Sequence, residues 1–136
     1  MKLIRPIPIL RIEGALVFAA SLALYQQTNG DWRLLVLLFF APDVSILPYI
    51  FSNAAGWACY NVAHSYAWPV ALAGAWAGGA STSGHGAWLT AALIWCAHIS
   101  FDRMWAFGLK EGEDFWITHL GEIKTGRMIW LKLTGR

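Results

Sequence analysis

The chain has 136 residues, 57% of them hydrophobic and only 13% charged, with a net charge of +2. Soluble domains carry roughly 25% charged residues, so this composition suits a surface that faces lipid better than one that faces water. The small positive charge argues against nucleic acid as a partner. The nine Trp suit membrane–water interfaces, where the ring stays apolar and the indole N–H finds a partner.

Four apolar stretches follow in chain order, at about residues 12–27, 32–51, 55–79 and 87–107. The first begins at Ile12 and closes at Tyr25-Gln26-Gln27-Thr28-Asn29-Gly30. It is short for the roughly 20 residues a spanning helix needs, and either recruits Ile7 to Leu10 or sits in thinned bilayer. Its Ala19-Ala20-Ser21-Leu22-Ala23 run is read as part of the span and not as a signal-peptide cleavage region. The second is interrupted by Pro42-Asp43 and Pro48, and Pro42 should disturb the helix there. The third is rich in Ala and Gly, and Ala63, Ala67, Ala71, Gly74 and Gly78 should let neighbouring helices approach closely. Gly84-His85-Gly86 separates it from the fourth, with His85 read as a solvated loop residue.

All of the Lys and Arg residues except Arg33 lie before the first span, at the end of the fourth, or beyond it. By the positive-inside rule both termini are therefore cytoplasmic, which an even number of spans also requires. The expected architecture is all-α: one membrane domain over residues 1–136, an integral membrane four-helix bundle with an interfacial C-terminal segment. That segment, residues 111–136, mixes Trp116, Leu120, Ile123, Ile129, Trp130 and Leu133 with basic residues, as helices lying in the interface do; a solvated tail is the alternative for its end. Glu111, Glu113 and Asp114 read as a solvated acidic turn. Cys59 and Cys96 lie inside apolar runs and read as small buried hydrophobes without a disulfide.

The ionisable residues inside the spans carry the functional information, because a charge at mid-membrane costs several kcal/mol. Asp43, His64 and His98 each lie about nine residues from the cytoplasmic end of their span, roughly 13 Å at 1.5 Å per residue. Three helices thus deliver Asp, His and His to one level. His98 and Asp102 share a face at i, i+4, and Asn61 and His64 share one at i, i+3, with Gly56 and Tyr60 on the same stripe. Two imidazoles and two carboxylates suit a divalent metal such as Zn²⁺, Mn²⁺ or Fe²⁺. The metal ligands read from the sequence are therefore Asp43, His64, His98 and Asp102. Asn61 is placed to polarise a substrate oxygen, and Arg11 and Arg103 to hold an anionic headgroup. Glu13, nearer the cytoplasmic surface, and His119, past the bundle but able to fold back, complete the candidate catalytic set. Three alternatives stay open: helix–helix hydrogen bonding, ligation of haem by the two His, and proton or ion passage.

Arg11-Ile12-Glu13-Gly14, Ala41-Pro42-Asp43, Tyr60-Asn61-Val62-Ala63-His64-Ser65-Tyr66, Trp95-Cys96-Ala97-His98-Ile99-Ser100-Phe101-Asp102-Arg103, Gly108-Leu109-Lys110 and Thr118-His119-Leu120-Gly121 follow in order. This series resembles a bacterial membrane family, domain of unknown function 4260, across Arg11 to Gly121. The resemblance implies the bacterial cytoplasmic (inner) membrane and points to these residues, without naming a reaction. Pro42-Asp43, His64-Ser65 and His98-x-x-x-Asp102 are also similar to the inner-membrane metal-dependent hydrolases, whose His-Arg pair ahead of His-Ser is missing here. Together the readings imply a metal-dependent hydrolase acting on a lipid or another membrane-soluble substrate. The alternatives are a non-catalytic accessory subunit or assembly factor of a larger membrane complex, and a haem-binding redox subunit.

Overall fold

A computed structural model describes residues 7–79, 85–112 and 115–135. Proline placement and short polar caps divide an apolar chain into mostly helical elements. Helix α1 (Ile7–Gln27) is followed by the short α2 (Trp32–Leu38) and a 3-10 segment (Ala41–Ile50). Then come α3 (Asn53–Ala63), α4 (Ala67–Ala77) and the long α5 (His85–Met104). A two-residue hairpin, β1 (Ile117–Thr118) and β2 (Gly121–Glu122), precedes α6 (Lys124–Thr134). The strands pair antiparallel, Ile117 opposite Glu122 and Thr118 opposite Gly121.

The first span does recruit Ile7 to Leu10, since α1 begins at Ile7. Its exit is fixed by polar groups around one turn. The Tyr25 hydroxyl donates to the Asp31 carbonyl at 2.7 Å, and Trp32 Nε1 donates to Gln26 Oε1 at 2.7 Å. The Asp31 carboxylate caps α2 by accepting from the Arg33 N–H at 2.8 Å.

Pro42 disturbs the second span as expected. The α-helix stops at Leu38, and the chain continues as a ten-residue 3-10 segment containing Pro48. Runs of 3-10 helix longer than three or four residues are uncommon and often mark functional stretches; this one carries Asp43.

The third span differs from expectation. Residues 55–79 were read as one helix, and the structure breaks it at His64–Tyr66 into α3 and α4. Pro69 is the reason: it lacks an N–H and its ring clashes with the carbonyl four residues earlier, so it fits only in a first turn. The Ser65 hydroxyl accepts from the Ala67 N–H at 3.2 Å and helps restart the helix. Ser52 caps α3 in the same way, accepting from Ala55 N–H at 3.1 Å.

Helix α1 packs along α5, α4 against α5, and the 3-10 segment against α3. A close helix approach falls at Gly14, and in the third span Gly56 takes the Tyr49 ring while Gly74 makes no such contact. A Cβ on Gly14 would lie 2.9 Å from the Met104 nitrogen and 3.0 Å from the Ser100 carbonyl oxygen, whereas Gly74 has open space. Cys59 and Cys96 are free, but Cys59 is exposed where burial was expected. The expected outer loop lies outside the described residues except for His85 and Gly86, which begin α5. Glu113 and Asp114 also lie outside the described residues, and Glu111 is exposed.

Candidate metal centre

Three elements bring the four expected ligands together. The 3-10 segment carries Asp43, the C-terminal end of α3 carries His64, and α5 carries His98 and Asp102. One ligand atom from each lies within 4.8 Å of the others. His64 Nε2 and His98 Nε2 are 3.1 Å apart. Asp43 Oδ1 stands 3.5 Å from both imidazole nitrogens, and Asp102 Oδ2 stands 3.4 Å from His64 and 3.6 Å from His98.

The helix break positions His64. Its backbone leaves α3 at φ −93°, ψ 15°, and its ring turns back so that Nδ1 lies 3.0 Å from the Tyr60 carbonyl oxygen. A carbonyl only accepts, so Nδ1 carries the proton and Nε2 presents its lone pair to the cluster. The Tyr60 ring stacks on His64 at 3.8 Å and 13°, and its hydroxyl donates to Asp102 Oδ2 at 3.4 Å. His98 is wedged edge-on by Phe39 and Phe40 at 5.3 and 6.3 Å between centroids. Its Nδ1 is buried with no hydrogen-bond partner among the described residues. The imidazoles are 3% and 1% exposed, Asp102 14% and Asp43 36%, so the site opens past its carboxylates.

The cluster opens into a cavity of about 830 Å³ lined by Asp43, Asp102, Tyr60 and Lys110, with Trp105, Phe107, Phe115, Trp116 and Ile129 as apolar walls. The far wall is formed by Glu122 and Ile123 and by the start of α6, through Lys124 and Gly126.

The other candidate residues sit elsewhere. Asn61 does not face the cavity with a free amide: Oδ1 accepts from the Lys110 N–H at 2.7 Å and Nδ2 donates to the Lys110 carbonyl at 2.9 Å. Arg11 donates from Nε to the Met104 carbonyl at 2.9 Å, closing the end of α5. Glu13, Arg103 and His119 border a different hollow of about 230 Å³ beside Tyr66 and Gly14. There the Arg103 guanidinium lies 4.2 Å from the Tyr66 ring centroid. His119 does fold back against the bundle, its ring packed on Gly108. None of Arg11, Glu13, Arg103 and His119 lines the cavity beside the cluster.

Haem does not fit this geometry. Axial nitrogens on one haem iron stand on opposite faces of the ring, about 4 Å apart at bonds of roughly 2 Å. The 3.1 Å between the two Nε2 atoms, with two carboxylates at the same point, leaves no plane for a porphyrin.

Sequence reasoning missed Lys110. It was counted among the charges that set topology, yet it is 4% exposed and lines the cavity. The isolated basic residue in Gly108-Leu109-Lys110, next to the motif series, was the available signal.

No curated protein and no solved structure matches the chain. A family match covers residues 8–123, which takes in the four clustered residues, Asn61, Lys110 and the hairpin and stops just before α6. On that match the chain belongs to the family described as domain of unknown function, DUF4260.

Proposed function

We propose that this protein is a multi-pass membrane protein of the bacterial inner membrane that binds one divalent metal ion, Zn²⁺ foremost, through Asp43, His64, His98 and Asp102. We propose further that it hydrolyses an ester or phosphoester bond of a lipid or another membrane-soluble substrate. The observation that carries the reading is the spacing of the ligand atoms. A tetrahedral ion with bonds of about 2.1 Å sets its ligands about 3.4 Å apart. Five of the ligand–ligand separations here fall between 3.1 and 3.6 Å. Two buried imidazoles with nitrogens facing each other would otherwise share one proton between them, with no hydrogen-bond partner for His98 Nδ1 among the described residues.

Membrane insertion is supported by the distribution of polarity. Ile7–Gln27 and Trp32–Ile50 are long and apolar enough to span a bilayer. Large apolar side chains such as Val36, Leu37, Ile50, Phe51 and Val70 are exposed, while Ser21, His64, His98 and Ser100 are buried. Irregular backbone like the 3-10 segment is accepted at membrane depth where protein or a wet cavity surrounds it. The distribution of basic residues supports a cytoplasmic side for both termini, and the mixture of apolar and basic residues in α6 suits a helix at the interface.

Asp43, His64, His98 and Asp102 would hold the ion, which when bound would lower the pKa of water and polarise the bond to be cleaved. The chain supplies the rest. His64 is oriented by the Tyr60 carbonyl, Tyr60 covers its ring, and the aromatic cavity excludes bulk water from the reacting bond. In the reaction the water oxygen bonds to the acyl carbon or phosphorus. The bond to the leaving oxygen breaks, and that oxygen takes up the proton that water gives up. The test is turnover of lipid esters and phosphoesters by purified protein in nanodiscs, beside His64→Ala and His98→Ala variants. Turnover in the wild type, lost in both variants, supports the reading; equal turnover in all three overturns it.

A further inference from the structure

The motif residues that the metal centre leaves over meet on another side of α5. Glu13 on α1, Arg103 near the end of α5 and His119 in the turn of the hairpin line the hollow of about 230 Å³ beside Tyr66. Arg103 runs close along α1, since a Cβ on Gly14 would lie 3.1 Å from the Arg103 Cβ. Its guanidinium is held 4.2 Å from the Tyr66 ring centroid. That ring is anchored in turn. The Ser100 hydroxyl gives its proton to the Cys96 carbonyl at 2.5 Å, so the Tyr66 hydroxyl, 3.1 Å away, donates to Ser100. Glu13 and Arg103 form no ion pair with each other among the described residues. His119 Nδ1 lies 3.4 Å from the Leu109 carbonyl, which only accepts, so Nε2 is left as an acceptor. Arg11 binds the Met104 carbonyl and does not line the hollow. The hollow thus offers one cationic donor and two acceptors.

The hollow adjoins an apolar groove of about 330 Å³, and Val17 and Tyr66 line both. Small residues make the groove: Pro69 and Ala73 at i, i+4 on α4, and Ala92 and Cys96 at i, i+4 on α5. Pro69 and Ala92 are buried, whereas Val17 and Val70 are exposed. From Arg103 to Leu89, the groove's farthest residue on α5, the helix runs fourteen residues, about 21 Å at 1.5 Å per residue. One leaflet with its headgroups is about 20–22 Å thick. None of the four clustered residues lines the hollow or the groove. A guanidinium suits a phosphate, but a phosphate alone would set its charge against Glu13. A headgroup that also ends in a primary ammonium can donate N–H to Glu13 and His119 while its phosphate faces Arg103. We infer that hollow and groove together bind one phospholipid of the cytoplasmic leaflet with a phosphoethanolamine-type headgroup, its hydrocarbon chain lying between α4 and α5. This bound lipid is separate from the proposed substrate. The inference rests on the membrane part of the reading above and not on the metal.

The test is lipid binding, read by native mass spectrometry of delipidated protein in mild detergent. The probes are dioleoyl phosphatidylethanolamine, dioleoyl phosphatidylglycerol and chain-free phosphoethanolamine. The wild type should bind the ethanolamine lipid about tenfold or more tighter than the glycerol lipid, the worth of one charge-assisted hydrogen bond. Phosphoethanolamine should bind about tenfold or more weakly than its lipid, for want of the buried chain. Glu13→Gln, at an exposed position, should lose the headgroup preference, and Arg103→Gln should weaken both lipids. Ala73→Phe, which fills the groove, should weaken both lipids and leave phosphoethanolamine unchanged. Circular dichroism checks that each variant folds. A wild type without the preference, a Glu13→Gln variant that keeps it, or lipid affinity unchanged by Ala73→Phe overturns the inference. Phosphoethanolamine bound as tightly as its lipid overturns the lipid assignment, and a dimer that added lipid does not dissociate assigns the groove to a second copy instead. Protein that alkaline carbonate strips from membranes without detergent overturns the membrane reading and this inference with it.

Discussion

Replacing Asn61 with Ala separates a structural from a substrate-binding role for this residue. The side chain makes two hydrogen bonds to one residue, at 2.7 Å from the Lys110 N–H and 2.9 Å to its carbonyl. Removing it strips the buried Lys110 N–H of the acceptor, a loss of about 1–3 kcal/mol for an unsatisfied buried group. The carbonyl keeps Trp57 as a donor, so its part is the net worth of one ordinary bond, about 0.5–1.5 kcal/mol. The expected total is about 1.5–4.5 kcal/mol of lost stability, with the metal retained, because none of the four ligands is touched. Unfolding should be followed on metal-depleted protein in mild detergent, so that ligand linkage does not contribute, and metal content measured separately. A loss below about 0.5 kcal/mol, well under one unsatisfied group, would refute the clamp. Loss of metal at unchanged stability would refute it too, and would return Asn61 to the reacting site.

Gly14→Ala should destabilise the α1–α5 packing by about 1–3 kcal/mol, the usual cost of overpacking, because the new methyl meets the Met104 and Ser100 backbone at 2.9 and 3.0 Å; Gly74→Ala, in open space, should be near neutral in the same unfolding assay. For topology, single cysteines at Arg33 and Lys124, in a variant with Cys59 and Cys96 replaced by Ala, should react with a membrane-impermeant maleimide from opposite sides of the membrane. Labelling of both from one side would contradict the cytoplasmic placement of the C-terminal segment relative to the first turn.

The four clustered residues were legible because each contradicts its surroundings. An Asp or His inside an apolar run needs a partner, and helical rise places Asp43, His64 and His98 at one depth before any fold is known. Arg103 and Lys110 lie in surroundings that the sequence did not reveal, for different reasons. Arg103 follows Asp102 directly, but one residue is about 100° around a helix, so it faces α1 and Tyr66 and not the cluster. Lys110 follows an apolar span, where a basic residue is normally a topology signal, and only the folded-back hairpin shows it buried. That hairpin has two-residue strands, too short for any alternation to be visible. Pro69 was a readable break in the third span that its Ala- and Gly-rich surroundings obscured, and it is this break that turns His64 toward His98.

The central claim is that Asp43, His64, His98 and Asp102 hold a metal ion, and elemental analysis tests it most directly. The protein should be purified in nanodiscs without chelators beside a His64→Ala/His98→Ala double variant, with folding of both checked by circular dichroism. The account predicts near one equivalent of a divalent transition metal in the wild type and none in the folded variant. A wild type free of metal, and still free after incubation with Zn²⁺, Mn²⁺ or Fe²⁺, would contradict it.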